Sequence, residues 1–286
     1  MNKLTLESYI LAEDLFRIRY VNEKTFYQMD HTHFHNGYEL YYVLAGKKLF
    51  FINDELLYAQ KGDLVIIHPF DVHKTSSVEG SDAERIVVHF NQDFIADCEE
   101  EIKYLVRSPY KINLSLKEQL QAERILHDML RECKVKEYQY EQYTRLLLQM
   151  FIIMLERVKE QNNVVEKDTR TATEKKIVEI ATYINKNYQM NLSLQHIATV
   201  FFISTSYLSR TFKKVTRFNV SEYIQLVRIR EAQYLLRETD SKIIDIAERV
   251  GFNQIAHFNK VFKKMTNTSP VKFRQTMNRR KQNKQS

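Results

Sequence analysis

A cluster of histidine and carboxylate side chains near the N-terminus has the composition of a metal site or a polar pocket. His33, His35 and Glu39 follow the spacing His-x-His-x3-Glu, and His73 comes later, in a second short motif that begins at Pro69. Imidazole and carboxylate groups that converge from adjacent strands bind divalent transition metals. The same groups can line a small-molecule pocket or make structural hydrogen bonds. All three interpretations remain open, and we favour the pocket.

Two tyrosines follow this cluster on one predicted strand. Because side chains alternate between the faces of a strand, only one of Tyr41 and Tyr42 can face the pocket, and we assign Tyr42 to it. The predicted ligand-binding residues are therefore His33, His35, Glu39, Tyr42 and His73. No metal or other cofactor is predicted, although a bound metal would take the three histidines together with Glu39.

A second set of polar side chains lies near the C-terminus, on two predicted helices that repeat each other. The segment LSRTFKKV from Leu208 recurs fifty residues later as FNKVFKKM from Phe258. In each copy an apolar face lies opposite a polar and basic face at helical spacing. The polar face of the first copy consists of Ser206, Ser209, Arg210 and Lys213. A short helix, a tight turn and such a second helix form a helix-turn-helix, whose second helix enters the major groove of DNA.

The charge distribution supports a nucleic-acid partner for this part of the chain. Residues 174–286 contain 21 Lys+Arg against 8 Asp+Glu, a net charge of +13, whereas the whole 286-residue chain has a net charge of +7. Such asymmetry is expected of a nucleic-acid reader joined to a separate sensing module. Two lone cysteines, Cys98 and Cys133, suit a reducing compartment. With no apolar run long enough to span a bilayer and no signal peptide, we expect a soluble cytoplasmic protein without a membrane partner.

Hydrophobic periodicity predicts the elements that position these side chains. Short runs rich in Val, Ile, Tyr and Phe predict a β-barrel over about residues 16–95. Apolar residues at i, i+3, i+4 and i+7 predict two helices over about 115–160. The predicted organisation is a sensing and dimerisation domain over 1–160, a linker over 161–173, a DNA-binding domain over 174–276 and a basic disordered tail over 277–286.

One segment of the predicted helices is apolar on nearly every side. The run LLLQMFIIML from Leu146 contains a single polar residue, Gln149. A helix of this kind must be buried on more than one side. We therefore expect the helices to pack on the barrel and also to form a homodimer interface, in preference to packing on the barrel alone.

The C-terminal motifs have a specific resemblance. The segment VGFNQIAHFNKVFKKMTNTSPVKFR from Val250 resembles the signature of the AraC/XylS family of bacterial transcription regulators, and LSRTFKK with RIREAQYLL fits the first half of the same domain. The resemblance covers about 100 residues. It implies two helix-turn-helix units, joined by a long helix over about Ser221–Glu238, that bind successive segments of the major groove. The N-terminal histidine and glutamate cluster likewise resembles the cupin barrel of the same family.

The resemblance assigns roles to individual residues. The family's base-reading positions fall on Thr205, Ser206, Ser209 and Arg210 in the first unit and on Ile255, Ala256, His257 and Lys260 in the second. The phosphate contacts are expected from Lys260, Lys263, Lys264 and Arg274. We expect Arg210 to make a bidentate contact with guanine, and Ile255 and Ala256 to touch bases only by apolar contact. Arg217 stands where the family usually has glycine at the helix exit, as does Asn267. Arginine adopts the left-handed conformation poorly, so we expect the first exit to differ in shape.

The expected fold class is α+β multidomain, with an N-terminal cupin β-barrel carrying dimerisation helices and a C-terminal all-α domain of two helix-turn-helix units. The resemblance implies a ligand-responsive transcription regulator, not an enzyme, that activates carbohydrate-utilisation genes. Its expected partners are double-stranded operator DNA, a sugar effector, a second copy of the chain and RNA polymerase. Two alternatives remain open: a metal-binding cupin enzyme fused to a DNA-binding domain, and a regulator controlled by a protein partner.

Overall fold

The structure is a computed structural model, and it describes residues 4–12, 15–23, 37–78, 82–95, 104–105, 110–161 and 170–283. Two predicted site residues, His33 and His35, lie outside these ranges, as do Cys98 and most of the predicted linker. Within the ranges, no helix combines the length and the apolar character needed to cross a membrane.

Two antiparallel sheets form the N-terminal domain, which confirms its predicted β-rich class. The strands are β1 Leu4–Leu11, β2 Phe16–Glu23, β3 Tyr38–Ala45, β4 Lys47–Ile52, β5 Glu55–Gln60, β6 Asp63–Ile67, β7 His73–Ser77, β8 Ala83–Phe90 and β9 Lys111–Asn113. The larger sheet has the order β1-β2-β8-β3-β6-β9, and the smaller one has the order β5-β4-β7. Strands β1 and β9 extend the larger sheet beyond the predicted barrel range.

The two sheets face each other, so each has an inner and an outer face. Tyr41 on β3 and Phe50 on β4 belong to one buried apolar cluster between the sheets, and their rings meet edge to face at 4.8 Å. Because side chains alternate along a strand, the intervening Leu40 and Tyr42 lie on the outer face of the larger sheet, in the main hydrophobic core. We call the space between the sheets the barrel interior.

Two helices cover the outer face of the larger sheet. They are α1 Leu116–Val135 and α2 Tyr140–Gln161. Helix α1 begins with a capping box, in which Ser115 N donates to Glu118 Oε2 at 2.6 Å and Glu118 N donates to Ser115 Oγ at 3.4 Å. Apolar residues of both helices share the core with the sheet, including Ile125, Met129, Leu148, Phe151 and Leu155. The buried sheet face is therefore matched by one apolar face on each helix.

The C-terminal domain is all-α over the part that the structure describes. Its helices are α3 Ala172–Asn187, α4 Leu194–Val200, α5 Thr205–Thr216, α6 Val220–Glu238, α7 Ile243–Arg249, α8 Ile255–Thr266 and α9 Pro270–Asn283. Helices α4 and α5 form one helix-turn-helix unit, α7 and α8 form the other, and α6 joins them. We call α5 and α8 the reading helices. Helix α9 continues to Asn283, which corrects the prediction that the tail is disordered from residue 277.

The turns of the two units have the same backbone design. Phe202 in the first turn and Gly251 in the second have positive φ angles of 54° and 91°. The following amide donates to a carbonyl of the preceding helix in both copies, from Ile203 to Ala198 at 3.0 Å and from Phe252 to Ala247 at 2.9 Å. The internal repeat seen in the sequence is thus a repeat of the turn geometry that sets the angle of each reading helix.

The two reading helices also end alike, contrary to expectation. Arg217 and Asn267 both adopt the left-handed conformation, with φ angles of 66° and 57°. Arg217 N donates to Lys213 O at 3.0 Å, as a glycine would at this position. The first exit therefore keeps the usual shape although its residue type disfavours it, and Lys74 and Ser76 of the N-terminal domain bond to Arg217 there.

The N-terminal domain packs directly on the first helix-turn-helix unit. Phe51, Leu56 and Val72, from the smaller sheet and the loop before β7, lie in the same buried cluster as residues of α3 to α6. Phe51 meets the rings of Phe218 and Tyr223 at 6.1 and 5.6 Å. The barrel is consequently sandwiched between α1–α2 on one side and the DNA-binding domain on the other.

Candidate functional site

The first reading helix presents a polar face to solvent. Ser204 caps the helix by accepting a hydrogen bond from Tyr207 N at 3.2 Å, which satisfies an amide at the helix start. Leu208 and Phe212 are fully buried on the inner face, so the residues between them must point outward. The predicted base-reading residues Thr205, Ser206, Ser209 and Arg210 lie together along one concave surface with Leu194. Lys213 lies exposed one turn further on.

Arg210 is the long cationic side chain on this surface. Its Nε donates to Ser206 O at 3.3 Å along the same helix. The contact is exposed, and exposed hydrogen bonds of this kind compete with water and contribute little stability. The guanidinium can therefore leave its own helix for the paired acceptors of a guanine edge.

The second reading helix has the same amphipathic design with a weaker start. Phe258, Val261 and Phe262 are buried, whereas Ala256, His257 and Lys260 are exposed and Ile255 is half-buried. The cap residue Gln254 makes no side-chain hydrogen bond to the helix. His257 packs edge-on against Phe252 at 5.5 Å, so its ring is positioned by the turn that precedes the helix.

The predicted phosphate contacts divide into two groups. Lys260, Lys263 and Lys264 are exposed on α8. Arg274, in contrast, is half-buried on α9 and donates from Nη2 to Ser241 O at 2.6 Å. This bond joins α9 to the loop before α7, so Arg274 supports the fold of the second unit. Its predicted contact with a phosphate stays a prediction.

The inner side of the barrel places two of the predicted pocket residues together. His73 Nε2 lies 3.5 Å from Glu39 Oε2, and His73 Nδ1 lies 2.9 Å from Asp71 O. Arg19 Nη2 donates to Glu39 Oε1 at 3.2 Å. Glu39 and His73 are both buried. The structure thus joins β2, β3 and β7 through one polar group at this end of the barrel interior.

The remaining ligand-binding predictions need one correction. Tyr42 faces α1, where its hydroxyl donates to Glu123 Oε1 at 3.0 Å, so it lies outside the barrel interior. Tyr41 takes the inner position instead. Burial raises the pKa of Tyr41, and the charges of Arg85, Glu23, Glu39 and Arg19 act on it in opposing directions. The guanidinium of Arg85 lies 5.4 Å from the centre of its ring.

A second buried polar group occupies the other end of the barrel interior. Lys48 Nζ donates to Glu23 Oε2 at 2.7 Å and to Ser77 Oγ at 3.1 Å, and Arg85 also pairs with Glu23. Burial acts to raise the pKa of Glu23, but hydrogen bonds and charges from Arg85 and Lys48 outweigh it and hold that pKa below its usual value. No motif in the sequence indicated this group.

The metal alternative concerns residues that are only partly described. Over the described ranges, no group of three or more His, Cys, Asp or Glu side chains could hold a metal ion. Glu39 and His73 supply two ligand types, and His33 and His35 fall outside those ranges. The absence of a metal or other cofactor therefore stays a prediction.

The contact between the two domains was not predicted, and it centres on strand β7. His73 points into the barrel, whereas Lys74 points to the DNA-binding domain, where its Nζ donates to Arg217 O at 3.0 Å. The same ammonium lies 4.6 Å from the centre of the Phe218 ring and 3.9 Å from Glu222. Burial lowers the pKa of Lys74, against the opposing effect of Glu222.

Arg217 completes this contact from the other side. Its Nε donates to Ser76 Oγ at 3.3 Å. Strand β7 thus holds both the backbone and the side chain of the residue that ends the first reading helix. The one sequence signal for this contact was an arginine at a position that requires a left-handed backbone.

The β4–β5 hairpin makes a second contact between the domains. Tyr223 on α6 donates its hydroxyl hydrogen to Asn53 O, and Arg230 Nη1 donates to Asn53 Oδ1 at 2.7 Å. Asn53 also donates from Nδ2 to Asp71 Oδ1 at 2.7 Å and to the Tyr110 hydroxyl at 2.8 Å. One side chain therefore ties the linking helix to the loop that precedes His73.

An exposed apolar surface lies on the far side of the N-terminal domain. A groove between α1 and α2 is lined in part by Ile125, Leu146, Met150 and Ile153. Leu146 is 47% exposed and Met150 is 54% exposed. The predicted all-round apolar segment thus buries one side on the barrel and leaves a second side open to solvent.

Comparison with known proteins covers both domains. Residues 23–167 match a family model described as "AraC-like ligand binding domain", and residues 197–276 match one described as "Helix-turn-helix domain". Together these models span the barrel, helices α1 and α2, and both helix-turn-helix units.

Individual relatives match either the C-terminal part or most of the chain. The bifunctional transcriptional activator/DNA repair enzyme AdaA of Bacillus subtilis is 40% identical over 96 residues, 34% of this chain and 46% of AdaA. The Msm operon regulatory protein of Streptococcus mutans is 34% identical over 107 residues, and the chain spans only 38% of that protein's length. The HTH-type transcriptional activator RhaR of Mannheimia succiniciproducens is 22% identical over 85% of this chain and 86% of RhaR.

Among solved structures, a crystal structure of ToxT from Vibrio cholerae aligns with a TM-score of 0.37 at 14% identity, over 95% of this chain and 98% of ToxT.

Proposed function

This chain belongs to the AraC family of transcription regulators, and from that premise we propose how it reads DNA and how it is controlled. Family membership makes it a ligand-responsive DNA-binding regulator rather than an enzyme. We propose that it acts in the cytoplasm and activates carbohydrate-utilisation genes, together with RNA polymerase, when a sugar occupies the barrel interior. The alignment with RhaR, named a transcriptional activator, supports the sign of regulation.

The proposed reading mode is supported by the matched exposure of the two reading helices. Each helix buries three apolar residues and exposes a polar or basic face at the same position relative to its turn. We propose that Ser206, Ser209 and Arg210 contact bases and that Lys260, Lys263 and Lys264 contact phosphates. The second unit then adds affinity more than sequence discrimination, because Ile255 and Ala256 carry no side-chain hydrogen-bonding groups.

Selection of bound duplexes from a random-sequence pool, followed by footprinting with the full chain, tests this reading mode. Two protected major-groove segments about one helical turn apart, on one face of the duplex, are expected from a single subunit. The first segment should show the sharper sequence preference. Protection without any sequence preference, or of one segment only, would contradict the proposal.

We propose that effector binding is read out through strand β7 and the β4–β5 hairpin. His73 and Lys74 are consecutive, so a ligand that shifts His73 also acts on the strand that holds Arg217. Asn53 adds a parallel connection to α6. A ligand changes operator affinity in this way only if it binds one domain arrangement better than another. Operator affinity of the full chain, titrated with candidate sugars, tests the coupling.

We propose that the groove between α1 and α2 forms the interface of a homodimer. Exposed apolar residues at Leu146 and Met150, on a helix whose opposite side is buried against the barrel, favour a second copy as the covering surface. A dimer would present four helix-turn-helix units to two half-sites and raise affinity through avidity. If small molecules bind nowhere, so that none of them raises the melting temperature, control by a protein partner becomes the better proposal.

A further inference from the structure

Two of the buried hydrogen-bonding atoms on the inner face of the larger sheet have no hydrogen-bond partner among the described residues. They are the hydroxyl of Tyr41 and the Nε of Arg19, and both atoms are buried. Tyr41 as a whole is 3% exposed. Leaving such donors unpaired away from water is unfavourable. A bound molecule with acceptor oxygens would satisfy both.

The two groups lie in the same row across the larger sheet. Arg19 on β2 and Tyr41 on β3 are each paired with Val87, on the β8 strand between them. Their Cα atoms are therefore roughly 10 Å apart, two strand spacings, on the inner face. Side chains of this length can approach each other above the small Val87 side chain. One small acceptor group can accept hydrogen bonds from both.

The charge around this row favours an anion. The inner positions of β2, β3 and β8 carry three arginines, Arg17, Arg19 and Arg85, against two glutamates, Glu23 and Glu39, as the strand pairing shows. The guanidinium of Arg85 lies 5.4 Å from the centre of the Tyr41 ring. Hydrogen bonds from arginine to a carboxylate are charge-assisted and stronger than those to a neutral hydroxyl.

We infer that the effector is an acidic sugar, a uronic or aldonic acid, whose carboxylate accepts hydrogen bonds from Arg19 Nε and from the Tyr41 hydroxyl. The sugar hydroxyls then lie toward Glu39 and His73. This inference rests on the proposed effector site in the barrel and specifies the chemistry that this site selects.

Calorimetric titration of the full chain tests the inference with matched acid and neutral probes. The acids are D-galacturonate, D-glucuronate and D-gluconate, and their neutral counterparts are D-galactose, D-glucose and D-glucitol. At least one acid is expected to bind, and its neutral counterpart is expected to bind at least roughly tenfold more weakly, because only the acid engages the arginine charge. Thermal unfolding midpoints check that the unmodified chain and every substituted chain are folded.

Variants locate the carboxylate. Tyr41→Phe keeps the ring packing on Phe50 and removes only the hydroxyl, and Arg19→Gln removes the charge. Both are expected to weaken binding of the acid roughly tenfold. Tyr42→Phe is the matched control, because it removes a hydroxyl from the outer face of the same strand, and it should bind the acid as the unmodified chain does.

The outcomes separate this inference from the proposed function. Equal binding of an acid and its neutral counterpart, or preference for the neutral sugar, overturns the acidic effector and leaves a sugar-controlled regulator. Acid binding that neither Tyr41→Phe nor Arg19→Gln weakens overturns the site. Failure of all six compounds to bind, in preparations that still bind the selected operator, overturns the inference and leaves the DNA-reading function. Failure of the unmodified chain to select any operator counts against that function alone.

Discussion

Lys74 Nζ donates a 3.0 Å hydrogen bond to the carbonyl oxygen of Arg217, the residue that ends the first reading helix. This bond links strand β7 of the N-terminal domain directly to the C-terminal end of the first reading helix. The neighbouring residue on the strand, His73, faces the proposed effector site. Two consecutive side chains of strand β7 therefore face different parts of the molecule: His73 faces the barrel interior and Lys74 faces the DNA-binding domain.

Replacing Lys74 with methionine should weaken the domain contact while keeping the apolar part of the side chain on Phe218. Lys74 is buried, and hydrogen bonds that involve a charged group contribute about 1.5–3 kcal/mol to stability. We expect the free energy of unfolding to fall by that amount in urea titrations. Lys61→Met, at an exposed lysine in the β5–β6 turn, is the control and should change stability little. A Lys74→Met protein as stable as this control would count against the contact.

Arg217 and Asn267 offer a matched test of the left-handed helix exits. A side chain at such a φ angle costs about 1 kcal/mol relative to glycine. Arg217→Ala should therefore be less stable than Arg217→Gly by about 1 kcal/mol, since both lose the bond to Ser76 and only alanine retains the strain. Asn267→Gly should be at least as stable as the unmodified chain. Equal stability of the alanine and glycine variants at position 217 would show that the exit has changed shape.

The reading helices could be predicted from sequence because their signals are local. Leu208, Phe212 and Phe258 recur at helical spacing, and Ser204 marks a helix start, so each unit can be recognised from short segments. The turns at Phe202 and Gly251, which repeat the same backbone conformation, lie between the two helices of each unit. The family assignment and the fold class, both confirmed, depend on these segments.

The inner tyrosine could not be chosen from sequence, and the physical reason lies in strand β3. All residues from Tyr38 to Val43 are buried, because one face packs on α1–α2 and the other lines the barrel interior. Alternation shows that Tyr41 and Tyr42 point in opposite directions but does not show which points inward. That choice depends on Phe50 and Glu123, which are distant in sequence. The contacts of Lys74 and Asn53 with the DNA-binding domain were unpredictable for the same reason.

The buried ionic group around Glu23 predicts an asymmetric response to mutation. Glu23→Gln leaves Lys48 and Arg85 without the carboxylate that both contact, and removing one partner of a buried pair costs about 3–5 kcal/mol. Lys48→Met leaves Glu23 paired with Arg85 and should cost less. Chemical denaturation of the two variants compares these effects. Equal losses, or a larger loss for Lys48→Met, would contradict the assignment of Glu23 as the shared partner.

The same carboxylate gives a pH dependence of known sign. Because the pKa of Glu23 is lower in the folded chain than its usual value of 4.5, its stabilising effect is present above that pH and is lost as the pH falls through the folded value. The stability difference between the unmodified chain and Glu23→Gln should therefore shrink below about pH 4. Stability curves of both proteins from neutral pH down to acid pH measure this difference. A gap that widens toward acid pH would reverse the sign and refute the assignment.

The proposed dimer interface predicts a change in assembly without loss of fold. Leu146→Glu places a charge in the exposed apolar groove and should convert the dimer to a monomer, as measured by sedimentation velocity. Leu116→Glu is the control, because Leu116 is 78% exposed on α1 and does not line the groove. A monomeric unmodified chain, or a dimer that survives Leu146→Glu, would exclude this face.

Operator affinity as a function of salt concentration tests whether both reading helices lie in the major groove. We expect the double variant Arg210→Ala with Lys260→Ala to bind the selected operator more weakly. Loss of the base contact of Arg210 should cost about 1–3 kcal/mol. Loss of the phosphate contact of Lys260 should reduce the slope of log affinity against log salt by about one. The control pair, Lys61→Ala with Lys117→Ala, removes the same charge from the sensing domain and should leave affinity and slope unchanged. If the reading-helix pair behaves like this control, neither helix reads DNA as proposed.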